Sequence, residues 1–240
     1  MFATYFENLK RFLERSSGPL LFAWICCYVI IRFAGELLTP SGIKLLGSSP
    51  LVELGPELLE QDQNTLMIAV LVFLVVSALQ EALVRPARAL MREQRKPGSL
   101  GQIVTMALPE LPAVIAVQVF QLFCLLGLVV LGALLEVQLL FIVQMTAATM
   151  LFPLMYITVG QGYDVRRAIA RTIVVAKQNF ATFFSFQGAL IVGGMLLNRM
   201  LQSDLGLPWF VGESLTLGYS YLCWAATIAL MLTVVDVEKE

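Results

Sequence analysis

Glutamines stand inside otherwise apolar stretches, among them Gln118 and Gln121, three residues apart on one helical face, then Gln144 and Gln187. An amide in hydrocarbon must find a hydrogen-bond partner. Such side chains therefore bond helix to helix or line a polar track along which a solute could move. Thr146 and Thr149 beside Gln144 could join either arrangement. Ionisable groups in these stretches are scarce, which matters because an intramembrane charge is a better flag of function than an amide. Arg32 with Glu36 and Glu81 with Arg85 are spaced i, i+4 near the ends of apolar runs and are expected to pair locally. Glu81, Glu110 and Asp164 are the carboxylates that an enzyme working at the membrane face would have to use.

Several chemistries are excluded by what the chain lacks. It has no histidine, so it cannot build a Ser-His dyad, a His-ligated haem or a HExxH zinc centre. No phosphate-binding loop, dinucleotide fingerprint or CxxC pair occurs. The cysteines Cys26, Cys27, Cys124 and Cys223 all fall in apolar runs without metal spacing and read as small buried hydrophobes. Gly160-Gln161-Gly162-Tyr163-Asp164 resembles the GxGD motif of intramembrane aspartyl proteases, but has one residue too many and no second intramembrane aspartate. A helix break with Asp164 at the next N-cap is the better reading. No cofactor, metal or nucleic-acid partner is expected, and no catalytic constellation is present.

The elements that must position these residues are membrane helices. Fifty-eight per cent of residues are hydrophobic and only 14% charged, with a mean hydropathy of +0.81. A soluble domain of that composition would expose large apolar patches. About 20 apolar residues are needed to cross the hydrocarbon core as a helix. Six stretches qualify: Pro19 to Leu38, Thr65 to Val84, Leu111 to Leu134, Glu136 to Val159, Phe180 to Leu197 and Ser214 to Val235. Pro153 should kink the fourth. The expected fold is all-α, one polytopic membrane domain over residues 1–240, with six transmembrane helices arranged as three hairpins.

A basic amphipathic segment precedes each hairpin. The first, residues 1–17, places Phe2, Tyr5, Phe6, Leu9, Phe12 and Leu13 on one stripe and reads as an interfacial helix. The second carries Arg85, Arg88, Arg92, Arg95 and Lys96, and the third Arg166, Arg167 and Arg171. With Lys10, Arg11, Arg15, Lys177 and Lys239, these put thirteen of the sixteen Lys and Arg on one side, against Lys44 and Arg199 on the other. The positive-inside rule then places both termini in the cytoplasm of a bacterial inner membrane. The arginines are expected to meet anionic lipid headgroups, at about 1 kcal/mol each, or a cytoplasmic partner.

The opposite face is acidic and apolar. Residues 39–64 carry Leu51, Leu54 and Leu58, and the loop before the last span carries Trp209 and Phe210. These five side chains are candidates for an outer contact surface or for interfacial packing.

One stretch suggests a relationship. From Thr158 the sequence TVGQGYDVRRAIARTIVVAKQNFATFF ends a span in a glycine turn, continues into an alanine-rich basic helix, and reaches an Asn-Phe pair before another span. With the long first outer loop and the Leu-Pro turns before span three, the chain resembles the YciC-like family of bacterial inner-membrane proteins. It is also similar to the membrane domain of some glycerophosphodiester phosphodiesterases. The resemblance implies a six-helix inner-membrane protein and no reaction. The expected function is a non-enzymatic scaffold or accessory subunit of a membrane complex, with a membrane-protein partner or a second copy, and a role in lipid organisation. A small transporter or lipid-handling permease, using the glutamine track, is the alternative.

Overall fold

The computed structural model of the chain describes residues 2–15, 18–37, 56–92, 99–132, 137–202 and 209–236. Among them every regular element is helical. They are α1 (Phe2–Arg15), α2 (Pro19–Leu37), α3 (Pro56–Ala82), α4 (Val84–Arg92), α5 (Leu100–Ala107), α6 (Leu111–Gly132), α7 (Val137–Leu151), α8 (Val165–Gln178), α9 (Phe180–Gln202) and α10 (Trp209–Val234). A short 3-10 turn, Leu108–Glu110, joins α5 to α6, and a π-helical turn, Tyr156–Gly160, follows α7.

Four helical stretches are long and apolar enough to cross a membrane: Met67–Arg92, Leu100–Cys124, Phe180–Leu201 and Val211–Val234. The pair Phe2–Arg15 and Pro19–Gly35, bent by 90°, makes a fifth if it is one span. The distribution of side-chain size fits such a setting. Lipid tails offer helices no hydrophobic gain on association, so contacts depend on close approach through small residues. Ala78, Ala82, Ala87, Ala107, Ala168, Ala176, Ala225 and Ala229 are accordingly buried, while Phe22, Phe33, Leu71, Phe123, Val192 and Met195 face outward. Threonine hydroxyls in the bundle are satisfied along their own helices: Thr158, Thr227 and Thr233 each donate to the carbonyl four residues back.

The third and fourth expected spans differ from the structure. The third begins at Leu100 rather than Leu111, because Ser99 caps α5 and its Oγ accepts the Gln102 N–H at 3.3 Å. Pro109 and Pro112 do not stop the chain, since each lies in a first turn where no backbone N–H is required. The fourth is not one continuous helix. Only Val137–Leu151 is regular, Phe152 and Pro153 form a turn, and the shorter apolar stretch Met145–Gly160 finishes in the π turn. Pro153 lacks the N–H that would bond four residues back, and its ring crowds that carbonyl.

Helix α1 is not simply an interfacial helix. Its Phe12 is fully buried against Trp224 of α10, ring centroids 5.5 Å apart, and Asn8 Nδ2 donates to Thr233 Oγ1 at 3.0 Å. Phe2 and Phe6 on the same helix stay exposed. Helix α2 packs on α3, α6 on α7, and α9 on α10. The C-terminal half of α10 is the most enclosed part of the bundle: from Ala225 to Asp236 every residue except Thr227 is buried.

Candidate functional site

The chain's most concentrated polar chemistry is gathered around Asp236, one residue beyond the last expected span. Asp236 is only 3% exposed. Its Oδ2 accepts from Arg88 Nε at 3.2 Å, Arg92 Nε at 3.2 Å and the Tyr156 hydroxyl at 3.0 Å; its Oδ1 accepts from Gln161 Nε2 at 2.7 Å. The four donors come from α4, the π turn and the residue after it. Helix α4 supplies its arginines because Val84, Pro86, Ala87, Ala89 and Leu90 bury one side of it. The i, i+3 and i, i+4 spacings then stack Arg85, Arg88 and Arg92 along a single edge.

The π turn makes the second half of this arrangement. All of Tyr156–Gly160 is buried. Its wider winding leaves the Gly160 carbonyl to side chains, and both Arg85 Nη1 (3.1 Å) and Arg88 Nη1 (3.0 Å) donate to it. Glycine fits closely there: a Cβ would stand 3.3 Å from Arg88 Cδ and 3.3 Å from Val84 Cγ1, so both side chains would have to give way by a few tenths of an ångström. Gly162, two residues on, has φ +69°, a left-handed conformation that glycine adopts without strain. Asp164 does occupy the N-cap position of α8, but its side chain makes no capping bond.

A carboxylate has about four lone-pair sites and a carbonyl two. Asp236 already receives four donors and Gly160 O two, all from within the protein. The cluster is a lock between α4, the π turn and the end of α10. This changes the reading of the basic edge. Arg85, Arg88 and Arg92 turn into the protein rather than toward headgroups, and Arg85 also pairs with Glu110 at 3.7 Å. The expected Glu81–Arg85 pair does not form. Arg32 reaches across to Glu213 of α10 at 3.3 Å. On α8, Arg166 and Arg167 are exposed, while Arg171 lies 5.5 Å from the Tyr163 ring centroid.

Beside the lock is a cavity of about 450 Å³, within the size range of small-molecule sites. Its wall is made by Val84; Gln121, Cys124 and Leu128 of α6; Ala147, Ala148 and Leu151 of α7; and Trp224, Thr227, Ile228 and Met231 of α10. Phe152, Met155 and Tyr156 close it on the side of the lock, so Tyr156 belongs to both. Glu81 also lines it and is accessible. No described residue forms an ion pair with this carboxylate. Among the described residues no group of three or more Cys, Asp or Glu could hold a metal ion.

Among the described residues the structure does not bring Gln118, Gln121 and Gln187 together. Gln121 lines the cavity, whereas Gln118, on the same helix, does not. Gln187 ties α9 to α7: its Oε1 lies 3.0 Å from Thr149 Oγ1 and its Nε2 donates to the Ala148 carbonyl at 3.3 Å. That is helix-to-helix bonding. The side chains of Gln144, Leu58, Trp209 and Phe210 lie outside the described residues, as do Leu51, Leu54, Arg95 and Lys96 altogether.

Asp236 was not among the residues that the sequence singles out. One signal was available, since it interrupts an apolar run between Val235 and Val237 on the side richest in arginine. A lone carboxylate there is costly unless paired, and the nearest surplus of cations is α4. No protein-family model, curated protein or solved structure matches the chain.

Proposed function

We propose that this chain is a multi-pass protein of a bacterial inner membrane, both termini cytoplasmic, that binds an amphiphilic small molecule or lipid chain inside its helix bundle. In this reading it is a non-enzymatic, lipid-handling membrane protein, six helical segments deep, with the broken Val137–Gly160 segment as one wall of the site. The observation that carries it is the cavity of about 450 Å³, apolar over most of its wall and supplied with one carboxylate and one amide. Few convergent polar groups on an apolar wall are what a site for an amphiphile needs, because the polar groups fix orientation while the wall takes the chain.

The test is to purify the full chain in mild detergent and identify retained lipids by mass spectrometry, alongside Ala147→Trp, which fills the cavity from α7. A retained amphiphile that is lost from A147W supports the reading. Equal retention by both proteins rejects the cavity as its site. Topology is checked by single cysteines at Arg167 and Ser214 in a background without the native four. Labelling of both from the same side refutes the orientation.

A scaffold or accessory-subunit role is the second reading, and exposed Arg166 and Arg167 on α8 favour it. Their exposure supports a contact with anionic headgroups or an acidic partner, whereas Arg85, Arg88 and Arg92 bond within the protein. Arg166→Glu with Arg167→Glu should release such a contact, and retention of a stoichiometric partner by that variant counts against it. The resemblance to the YciC-like family would agree with both readings, and assigns neither a reaction.

A further inference from the structure

The charge around the cavity says which end of an amphiphile it can hold, if the cavity reading above is right. Among the described residues, Glu81 is the only Asp, Glu, Lys or Arg that lines it. It stands at the end of α3, and its helical neighbour Arg85, which could have neutralised it, is directed to Glu110 and to the Gly160 carbonyl. Arg88 is likewise committed to Asp236 and Gly160. Among the described residues the cavity therefore presents a carboxylate without an ion-pair partner and no cation. Gln121 on the wall adds an amide that can accept or donate.

From this charge pattern we infer that the ligand is a single-chain amphiphile with a positively charged amine head, the ammonium resting on Glu81 and the chain along Leu128, Leu151, Ile228 and Met231. An anionic head, a phosphate or a fatty-acid carboxylate, would meet a like charge with no cation to compensate it. A neutral hydroxyl head would cover the carboxylate without supplying a counter-charge, at the cost of its hydration. An ammonium both neutralises Glu81 and supplies up to three N–H donors to it and to Gln121.

The experiment uses the full chain in phosphatidylcholine nanodiscs near neutral pH, with photoreactive diazirine analogues of dodecylamine, dodecanol and dodecanoate. Labelling is mapped by mass spectrometry to peptides of α6, α7 and α10. The amine should label these helices at about tenfold lower concentration than the alcohol, the factor expected for one charge-assisted hydrogen bond, and dodecanoate should label least. Glu81→Gln, which keeps the shape of the side chain, should bring the amine to the level of the alcohol. Equal labelling by amine and alcohol in the natural protein overturns the inference, and so does an amine preference that survives E81Q. Ala147→Trp separates the two levels: it should abolish labelling by all three probes. Unchanged labelling in A147W would sink the cavity reading itself, whatever the head group.

Discussion

Replacing Asp236 by asparagine is the sharpest test of the lock, because it keeps shape and removes charge. The natural carboxylate receives Arg88, Arg92 and Tyr156 on one oxygen and Gln161 on the other. An asparagine that turns its oxygen to the guanidinium groups points its NH2 at Gln161 Nε2, and Gln161, whose Oε1 is buried without a partner, must flip its amide to accept it. Hydrogen bonds to charged groups contribute about 1.5–3 kcal/mol each. The Arg88 side chain is 18% exposed and its bond counts nearly in full; that of Arg92 is 35% exposed and counts for about 0.5 kcal/mol at most. With the cost of the Gln161 flip added, the expected loss is about 3 kcal/mol, at the lower end for a broken buried pair. For a chain of this size each kcal/mol moves the thermal midpoint by about 2–4 °C, so D236N should melt about 6–12 °C lower. A thiol-reactive fluorophore can follow this in detergent, since Cys27 is buried in the fold and becomes reactive on opening. Combining D236N with Arg88→Gln should cost less than the sum of the two, by about 1.5 kcal/mol or more. A D236N midpoint within about 2 °C of the natural protein, or additive losses in the double variant, would refute the lock.

Three further substitutions probe how the bundle is held. Gly160→Ala inserts a methyl 3.3 Å from both Arg88 Cδ and Val84 Cγ1; the same melting assay should register about 1 kcal/mol of destabilisation, and a neutral result would mean that Arg88 and Val84 can shift to admit it. Gly193→Ala places its Cβ 2.6 Å from the Tyr219 hydroxyl, which donates to the Leu190 carbonyl. It should therefore destabilise α9 against α10 and be partly rescued by Tyr219→Phe; no rescue argues against that helix contact. Phe12→Ala removes a fully buried ring from between α1 and α10 and should cost about 3–5 kcal/mol. Protease accessibility of α1 should rise with it, whereas unchanged cleavage would show that α1 rests in the interface without docking.

How far the sequence reaches can be judged from particular residues. Apolar length located the first, second, fifth and sixth helical segments well, because crossing hydrocarbon requires every backbone group to be satisfied within the segment and helices alone do that in one pass. Pro153 was legible as an interruption of the fourth stretch. The π turn after it was not, since nothing local to Tyr156–Gly160 favours five-residue winding; it is held by burial on all sides and by the arginines that cap Gly160. Glu81 was visible as a carboxylate at a helix end, but its nearest cation four residues away made local pairing the natural expectation. Arg85 turns to Glu110 and Gly160 instead, a choice made by how α4 packs.

The sequence by itself determined the class of molecule: an all-helical chain with apolar helices of membrane-spanning length, no histidine chemistry, and basic clusters concentrated at a few helix ends. These are properties of composition and period, which need no partner in space. Only the tertiary structure decided the direction in which Arg85, Arg88 and Arg92 point. The same edge of α4 could have faced headgroups, but the buried Asp236, 144 residues further along the chain from Arg92, turns it inward. A charged side chain goes where its desolvation is best compensated, and that partner is fixed by folding rather than by neighbouring residues. With those guanidinium groups occupied, Glu81 is left on the cavity wall as a charge without an ion-pair partner among the described residues.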